Sequence, residues 1–237
     1  MMALAVRVAL WLPGWRVRGA TLAAPDALEV ALARMTAPLI YPFFMAEGWF
    51  TRTTLRKRLA AYGAAHLTQL AAFGHDPGLP DLIARTALAA CLAQRMECAG
   101  ATLILAAHGS QVSRASATIT ERIARVVRAT TPFARVVTGY VEEPPYLAKV
   151  ARLTGPALCL PLFATRAGHV ATDVPEALAK AGFAGILLPA IGEHAATAQL
   201  IAAALWDTRS AGAAAVAAPT AGTPGQSEAV TGRGAVR

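Results

Sequence analysis

Residues 157–178 read ALCLPLFATRAGHVATDVPEAL, and the order of residue types in this stretch decides the class of fold. An apolar run of strand length, Ala157 to Phe163, passes through a loop ending at His169 into an amphipathic stretch from Val174 to Ala181. Working outward, the same alternation continues on both sides. Thr102 to Ala107 is predicted as a strand, Ser113 to Arg128 as a helix, Ala134 to Val141 as a strand and Pro145 to Leu153 as a helix. Beyond the quoted stretch, Gly185 to Pro189 is predicted as a strand and Ala195 to Trp206 as a closing helix. A β-α alternation of this kind implies an α/β fold with a parallel sheet covered by helices, its functional loops at the carboxyl ends of the strands. His108, Glu142 and His169 fall in such loops or at their edges.

The stretch also has an imperfect copy earlier in the chain. Leu39 to Leu59, LIYPFFMAEGWFTRTTLRKRL, aligns with Leu158 to Leu178 when Pro42 is laid on Pro161, and the same shift pairs Val17 with Val136 and Pro25 with Pro144. Self-similarity over such a period implies a duplicated unit. The expectation is two tandem α/β domains, residues 1–98 and 99–209, followed by an unstructured tail over 210–237 rich in Ala, Gly, Thr, Pro and Ser. In the first copy Arg16 to Leu22 and Leu39 to Phe44 are predicted strands, with a helix over Leu28 to Met35. That copy has no counterpart of the Thr102–Ala107 strand, and loss of an internal strand would expose unpaired backbone. Either the start of the protein lies upstream of Met1, or another chain fills the gap, as in a homodimer.

Composition narrows the setting. The 237 residues are 55% hydrophobic and 15% charged, which suits a chain with a substantial core. Its apolar runs are interrupted, by Arg95 and Glu97 or by Gly109 and Ser110, before reaching the roughly 20 residues of a membrane span. The N-terminus lacks the charge layout of a secretory signal, so a cytoplasmic location is expected. Cys91, Cys98 and Cys159 have no CxxC spacing; they are read as core thiols, the first two on one helix face. A net charge of +8 points to an acidic partner. No aromatic-basic motif for nucleic-acid binding accompanies it.

His108 follows a predicted strand and precedes Gly109 and Ser110, the first suited to a tight turn and the second to a helix N-cap. One such histidine is ordinarily a hydrogen-bonded structural residue. His169 leaves a strand two βα units later, toward the same crevice, and two imidazoles converging there suit Fe²⁺, Co²⁺, Ni²⁺ or Zn²⁺ with open coordination positions. Glu142 and Glu143 occur only in this second copy. They serve proton or cation traffic, or simply a solvated helix start. Arg52, Arg56, Lys57 and Arg58 form a basic cluster beside Trp49 and Phe50, read either as a solvated face or as the lining of a carboxylate-attracting cleft. GxSxG, P-loop and GxGxxG signatures do not occur, so serine hydrolases, NTPases and dinucleotide oxidoreductases lack their marks.

LILAAHGS at 103–110, YVEEPPYLAKV at 140–150, PLFATRAGHVATDVPEAL at 161–178 and LLPAIGEH at 187–194 together resemble the sirohydrochlorin chelatase family, the class II cobalto- and ferrochelatases, in its long tandem form. The resemblance implies a lyase that inserts Co²⁺ or Fe²⁺ into sirohydrochlorin or a related reduced tetrapyrrole, in siroheme or cobalamin synthesis. The metal, with Ni²⁺ also open, is substrate, and no tightly bound cofactor is implied. Position by position, His108 and His169 would bind the incoming metal and take pyrrole protons, with Glu142 assisting. Ser110 and the run Ala164, Thr165, Arg166, Ala167 and Gly168 would contact the macrocycle. A non-catalytic metal or tetrapyrrole carrier is the alternative, because a chain lacking an internal strand in one half could bind without turning over.

Overall fold

The protein was analysed as a computed structural model that describes residues 2–165 and 169–217, with the side chains of 169–171 and 212–217 outside the description. Four parallel strands form the sheet: β1 (Thr102–Ala107), β2 (Arg135–Tyr140), β3 (Ala157–Pro161) and β4 (Ile186–Leu187), in the order β2-β1-β3-β4. The helices are α1 (Met2–Ala9), α2 (Ala27–Leu32), α3 (Leu55–Ala61), α4 (Leu79–Ala93), α5 (Ala115–Thr130), α6 (Leu147–Val150), α7 (His169–Ala181) and α8 (Thr197–Ala217). Every residue of β1 and β3 is buried, the expected result for parallel strands covered on both faces.

Alternation along β1 sorts the core into two layers. Leu103, Leu105 and Ala107 face a large cluster that includes Val8 of α1, Ile83 of α4, Ile123 of α5 and Ile201 of α8. Ile104 and Ala106 face the opposite layer, with Leu147 of α6 and Val174 and Leu178 of α7. Helix α5 joins the first layer through Thr120, Ile123, Ala124 and Val127, spaced to form one stripe, while Arg122 and Arg125 remain in solvent. No helix among the described residues is long and apolar enough to cross a membrane.

The tandem architecture is not what forms. There is one parallel sheet, and the N-terminal region packs onto it, with α1 against α8 and Leu12, Phe43, Phe73, Leu79 and Leu82 in the same core as β1. The predicted strands over Arg16–Leu22 and Leu39–Phe44 do not form; the second makes one isolated parallel bridge, Ile40 to Gln69. The reason is physical: without a counterpart of β1 there is no central ladder for them to pair with, and isolated strand pairs are marginal. Leu28, Leu55, Leu59 and Ala64 form only a small satellite cluster.

Local geometry nevertheless repeats. Gly74 N–H donates to the Phe44 carbonyl and Gly192 N–H to the Phe163 carbonyl, both at 3.0 Å. Each glycine lies in a 3₁₀ turn, and at each a Cβ would collide with a carbonyl, that of Met45 or of Ala164. The turn is followed in one case by Asp76, whose Oδ1 accepts from Gly78 N–H at 3.0 Å, and in the other by His194, whose Nδ1 accepts from Ala196 N–H at 3.2 Å. Both residues serve the start of a helix, α4 or α8.

Smaller differences from the sequence reading concern helix ends. Cys98 is not on the helix of Cys91, because α4 ends at Ala93 and Cys98 begins a 3₁₀ turn. Cys91 and Cys159 are buried, and burial pushes the Cys159 thiol up to about 12. Helix α8 runs past Ser210 to Ala217, where the alanine-rich sequence favours continued helix; residues 218–237 lie outside the described residues.

Candidate active site

The order β2-β1-β3 sets the site. The chain leaves β1 through α5 toward β2 on one side, then returns to place β3 on the other side, so the loops after β1 and β3 diverge and open a crevice at the carboxyl edge. His108 and Gly109 follow β1, and Leu162 to Thr165 follow β3. Leu162 N–H donates to the Ala106 carbonyl at 2.7 Å, holding the two exits side by side.

A cleft of about 1380 Å³ opens there, larger than the roughly 300–1,000 Å³ of ordinary small-molecule pockets. His108, Leu162, Phe163, Ala164 and Thr165 form one wall. The opposite wall belongs to the N-terminal region and includes Trp15, Tyr41 and Phe43, while Ile201, Leu205 and Arg209 of α8 close one side. Arg16, Arg18 and Arg34 also line it, and no Asp or Glu does among the described residues.

The half-buried His108 places Nδ1 3.0 Å from the Gly109 carbonyl. A carbonyl only accepts, so Nδ1 carries the proton in this contact and Nε2 is the lone-pair nitrogen of the neutral ring. Gly109 has φ +76°, a backbone conformation suited to glycine, and a Cβ there would press on Glu143 and Tyr140. Its N–H donates to Ser116 Oγ at 3.2 Å.

Glu143, only 5% exposed, braces this loop. Its Oε1 accepts from Ser110 N–H at 3.0 Å and its Oε2 accepts from Arg114 at 2.8 Å. Arg114 also reaches Glu121 at 3.1 Å. Sequence reasoning singled out Glu142, but it is Glu143 that turns inward. Glu142 is half-buried, and its N–H donates to the His108 carbonyl at 2.9 Å, so its backbone is coupled to the histidine although its side chain does not line the cleft.

Of the predicted contact residues, Ala164 and Thr165 line the cleft beside His108. Ser110 lies apart from its lining and is not a helix N-cap: α5 begins at Ala115, and the Ser110 hydroxyl accepts from Val112 N–H at 3.3 Å. Arg166, Ala167 and Gly168 lie outside the described residues. His169 is the first residue of α7, which starts earlier than the expected Val174; its side chain lies outside the description. Among the described residues no three His, Cys, Asp or Glu side chains gather as a metal cluster.

Of the two readings of the Arg52–Arg58 basic cluster, a solvated face or a cleft lining, the structure favours the first, since none of its four cations lines the cleft. Arg52 pairs with Glu47 at 3.0 Å, Lys57 lies over the Trp49 ring at 5.9 Å, and Arg58 donates to the Ala24 carbonyl at 3.3 Å. The arginines that line the cleft, Arg16, Arg18, Arg34 and Arg209, were missed, because they are scattered along the chain and form no local run.

The fold and site define an α/β protein with a strand-end imidazole facing a large, cationic, partly apolar cleft. The CbiX family model matches residues 102–208. A solved CbiX, described as the terminal enzyme for biosynthesis of siroheme in denitrifying bacteria, is 45% identical to this chain over 86% of it and 89% of its own length, with a TM-score of 0.78. The chain belongs to the CbiX family. SirB from Bacillus subtilis, solved with Fe³⁺, shares the fold at 11% identity, covering 89% of each chain with a TM-score of 0.72. DR2241 from Deinococcus radiodurans, a multi-domain protein with structural similarity to chelatases, aligns at 23% identity over 70% of this chain and 40% of its own, with a TM-score of 0.59. No match was found among curated proteins.

Proposed function

We propose that this chain, a metal chelatase acting on a reduced tetrapyrrole such as sirohydrochlorin, works through His108 and His169 at the crevice between β1 and β3. The observation that carries the residue assignment is the position of His108, at the end of the central strand, in the wall of a cleft large enough for a macrocycle. Insertion of a divalent ion requires that both pyrrole N–H protons leave as the metal–nitrogen bonds form. A neutral imidazole near pH 7 is suited to accept a proton and equally to ligate the metal in transit. The Gly109 carbonyl on Nδ1 orients the ring and makes Nε2 its basic atom.

In this reading His169 supplies the second imidazole from the start of α7, and Ala164 and Thr165 lie against the macrocycle, with Arg166, Ala167 and Gly168 as further contacts. Glu142, whose backbone moves with His108, guides the cation or relays the released proton. Ser110 supports the loop. The metal is Co²⁺ or Fe²⁺, with Ni²⁺ as a third candidate, and it is substrate rather than resident cofactor.

The test is anaerobic absorbance of sirohydrochlorin with purified protein and Co²⁺ or Fe²⁺, beside a double variant carrying His108→Ala and His169→Ala. Spectral conversion above the uncatalysed rate, lost in the variant, is the expected result. Binding without acceleration, equal in both proteins, would replace the chelatase by a carrier.

A further inference from the structure

Four guanidinium groups line one cleft, and none of them has a carboxylate within ion-pair distance among the described residues: Arg16, Arg18, Arg34 and Arg209. All four are exposed, in the lining of a partly apolar cavity to which no Asp or Glu contributes among the described residues, so the wall suits a ligand with several negative groups. Two of the four are partly committed. Arg18 donates to the carbonyls of Val30, Ala31 and Ala33, and Arg16 to that of Arg34, so both hold the end of α2 and its following turn. Arg209 lies with its guanidinium 5.1 Å from the centre of the Trp15 ring, a stacked arrangement that fixes the plane of the fork while leaving its edges for hydrogen bonds.

Arg34 adds an independent observation. It follows the end of α2 with φ +60°, a left-handed conformation that a helix end ordinarily assigns to glycine. Arg95 takes the same conformation after α4, away from the cleft, so what sets Arg34 apart is that conformation together with a place in the cleft lining.

We propose that Arg34 and Arg209, backed by Arg16 and Arg18, grip the carboxylates on the rim of the tetrapyrrole and so determine which edge of the macrocycle lies against His108. The assignment rests on the chelatase reading and deepens it: apolar walls take the faces of the ring, and the arginines read its acetate and propionate side chains. They are substrate-positioning residues, and the chemistry stays with the imidazoles.

Arg34→Gly and Arg209→Gln, singly and together, test this, with Arg125→Gln on the solvent face of α5 as a control of equal charge loss. Binding of metal-free sirohydrochlorin is titrated anaerobically by absorbance, and metal insertion is followed separately. Each cleft variant raises Kd about tenfold, the loss of one charge-assisted contact, and the effect appears in KM rather than kcat. Added salt narrows the gap between wild type and the double variant. Arg34→Gly also relieves the left-handed strain, so its melting temperature rises by about 2–4 °C while its affinity falls, opposite to what a merely structural arginine would do. A double variant that binds within twofold of wild type, while wild type binds and inserts metal, overturns the arginine assignment and leaves the chelatase intact. Wild type that neither binds nor converts the macrocycle overturns both.

Discussion

Glu143 is the side chain on which the His108 loop depends, and Glu143→Ala measures how much. The carboxylate makes two charge-assisted hydrogen bonds, to Ser110 N–H at 3.0 Å and to Arg114 at 2.8 Å. At face value such bonds contribute about 1.5–3 kcal/mol each. The two are not equal. The Arg114 side chain is 65% exposed, so water and Glu121 replace what it loses, and its share falls to the surface-pair range of about 0–1 kcal/mol. The Ser110 amide lies on the protein side of a carboxylate that is itself 6% exposed, so its share is kept in full. Glu143→Ala is therefore expected to cost about 1.5–4 kcal/mol, a fall of roughly 3–16 °C in melting temperature for a chain of this size. Glu143→Gln keeps an oxygen for Ser110 N–H and should recover more than half of the loss.

Urea unfolding gives the stability difference, and metal insertion at a temperature where all variants are folded gives the consequence for His108. The loop around Gly109 is packed directly on Glu143, so a displaced loop lowers kcat in Glu143→Ala more than in Glu143→Gln. Arg114→Gln should cost about 1 kcal/mol or less. The reasoning fails if Glu143→Ala lies within 0.5 kcal/mol (about a twofold change in the folding equilibrium) of wild type, or if Arg114→Gln is the more damaging change.

The other expectations concern the two repeated turns. Gly192→Ala and Gly74→Ala drive a Cβ into a backbone carbonyl and should each cost about 2–4 kcal/mol by overpacking and loss of a turn hydrogen bond, whereas Gly48→Ala, whose Cβ meets nothing, stays near wild type; equal urea midpoints for all three would refute the clash. His194 accepts a hydrogen bond at Nδ1, and burial, with Arg85 nearby, holds its pKa below the ordinary histidine value. The unfolded chain therefore protonates first as pH falls below about 6.5, and stability is lost through that window. His194→Asn keeps an acceptor without titrating, so its urea midpoint should decline less than wild type between pH 7.5 and 5.5; parallel declines would count against this. Burial raises the Asp76 carboxyl above its usual range, so as pH climbs past about 4 the unfolded chain ionises first and the native state loses ground. Asp76→Asn keeps the acceptor for Gly78 N–H and should be at least as stable as wild type at pH 7, with the advantage gone at pH 3; a loss of more than about 1 kcal/mol at pH 7 would show that the charge itself is needed.

Much of the C-terminal sheet was legible because β1 and β3 are fully buried and carry the continuous apolar signal of a parallel sheet. Thr102–Ala107 forms as predicted, and the Arg135–Tyr140 and Ala157–Pro161 strands lie within one or two residues of their expected ends. The N-terminal region carries the same residue pattern without the same outcome. Its copy of the Pro161 motif is faithful enough to rebuild the glycine turn at Gly74, a local feature set by a few adjacent residues. It is not enough to build a sheet, because ladder formation is a property of the neighbouring strand, and no segment stands where β1 would be. Local repetition therefore survives in the turns and is lost in the sheet. A pattern match reports the first and is silent on the second.

The site divides along the same line. His108 drew attention because it stands beside Gly and Ser at the end of an apolar run, all within one short window, and it lies in the cleft lining. Both acids of the Glu142–Glu143 pair were singled out, but two glutamates in succession at a strand exit point to opposite sides, and the pattern alone does not say which is inside. The geometry does, since Glu143 turns toward the amides of the His108 loop and Glu142 is left with a backbone tie. The cationic wall is different in kind. Arg16, Arg18 and Arg34 are far from Arg209 along the chain, and the packing of the N-terminal region on α8, through α1 and through Trp15 against Trp206 and Arg209, draws them to one cleft. A charge count of +8 foretold an anionic partner, but the local run Arg52 to Arg58 drew attention because it is contiguous, and contiguous cations on a helix are the ones most easily solvated. Cations that converge from distant segments on an acid-free cavity have no such default explanation, and it is that convergence, invisible to any window along the sequence, that assigns the N-terminal region a part in the site despite its lack of histidine at the cleft.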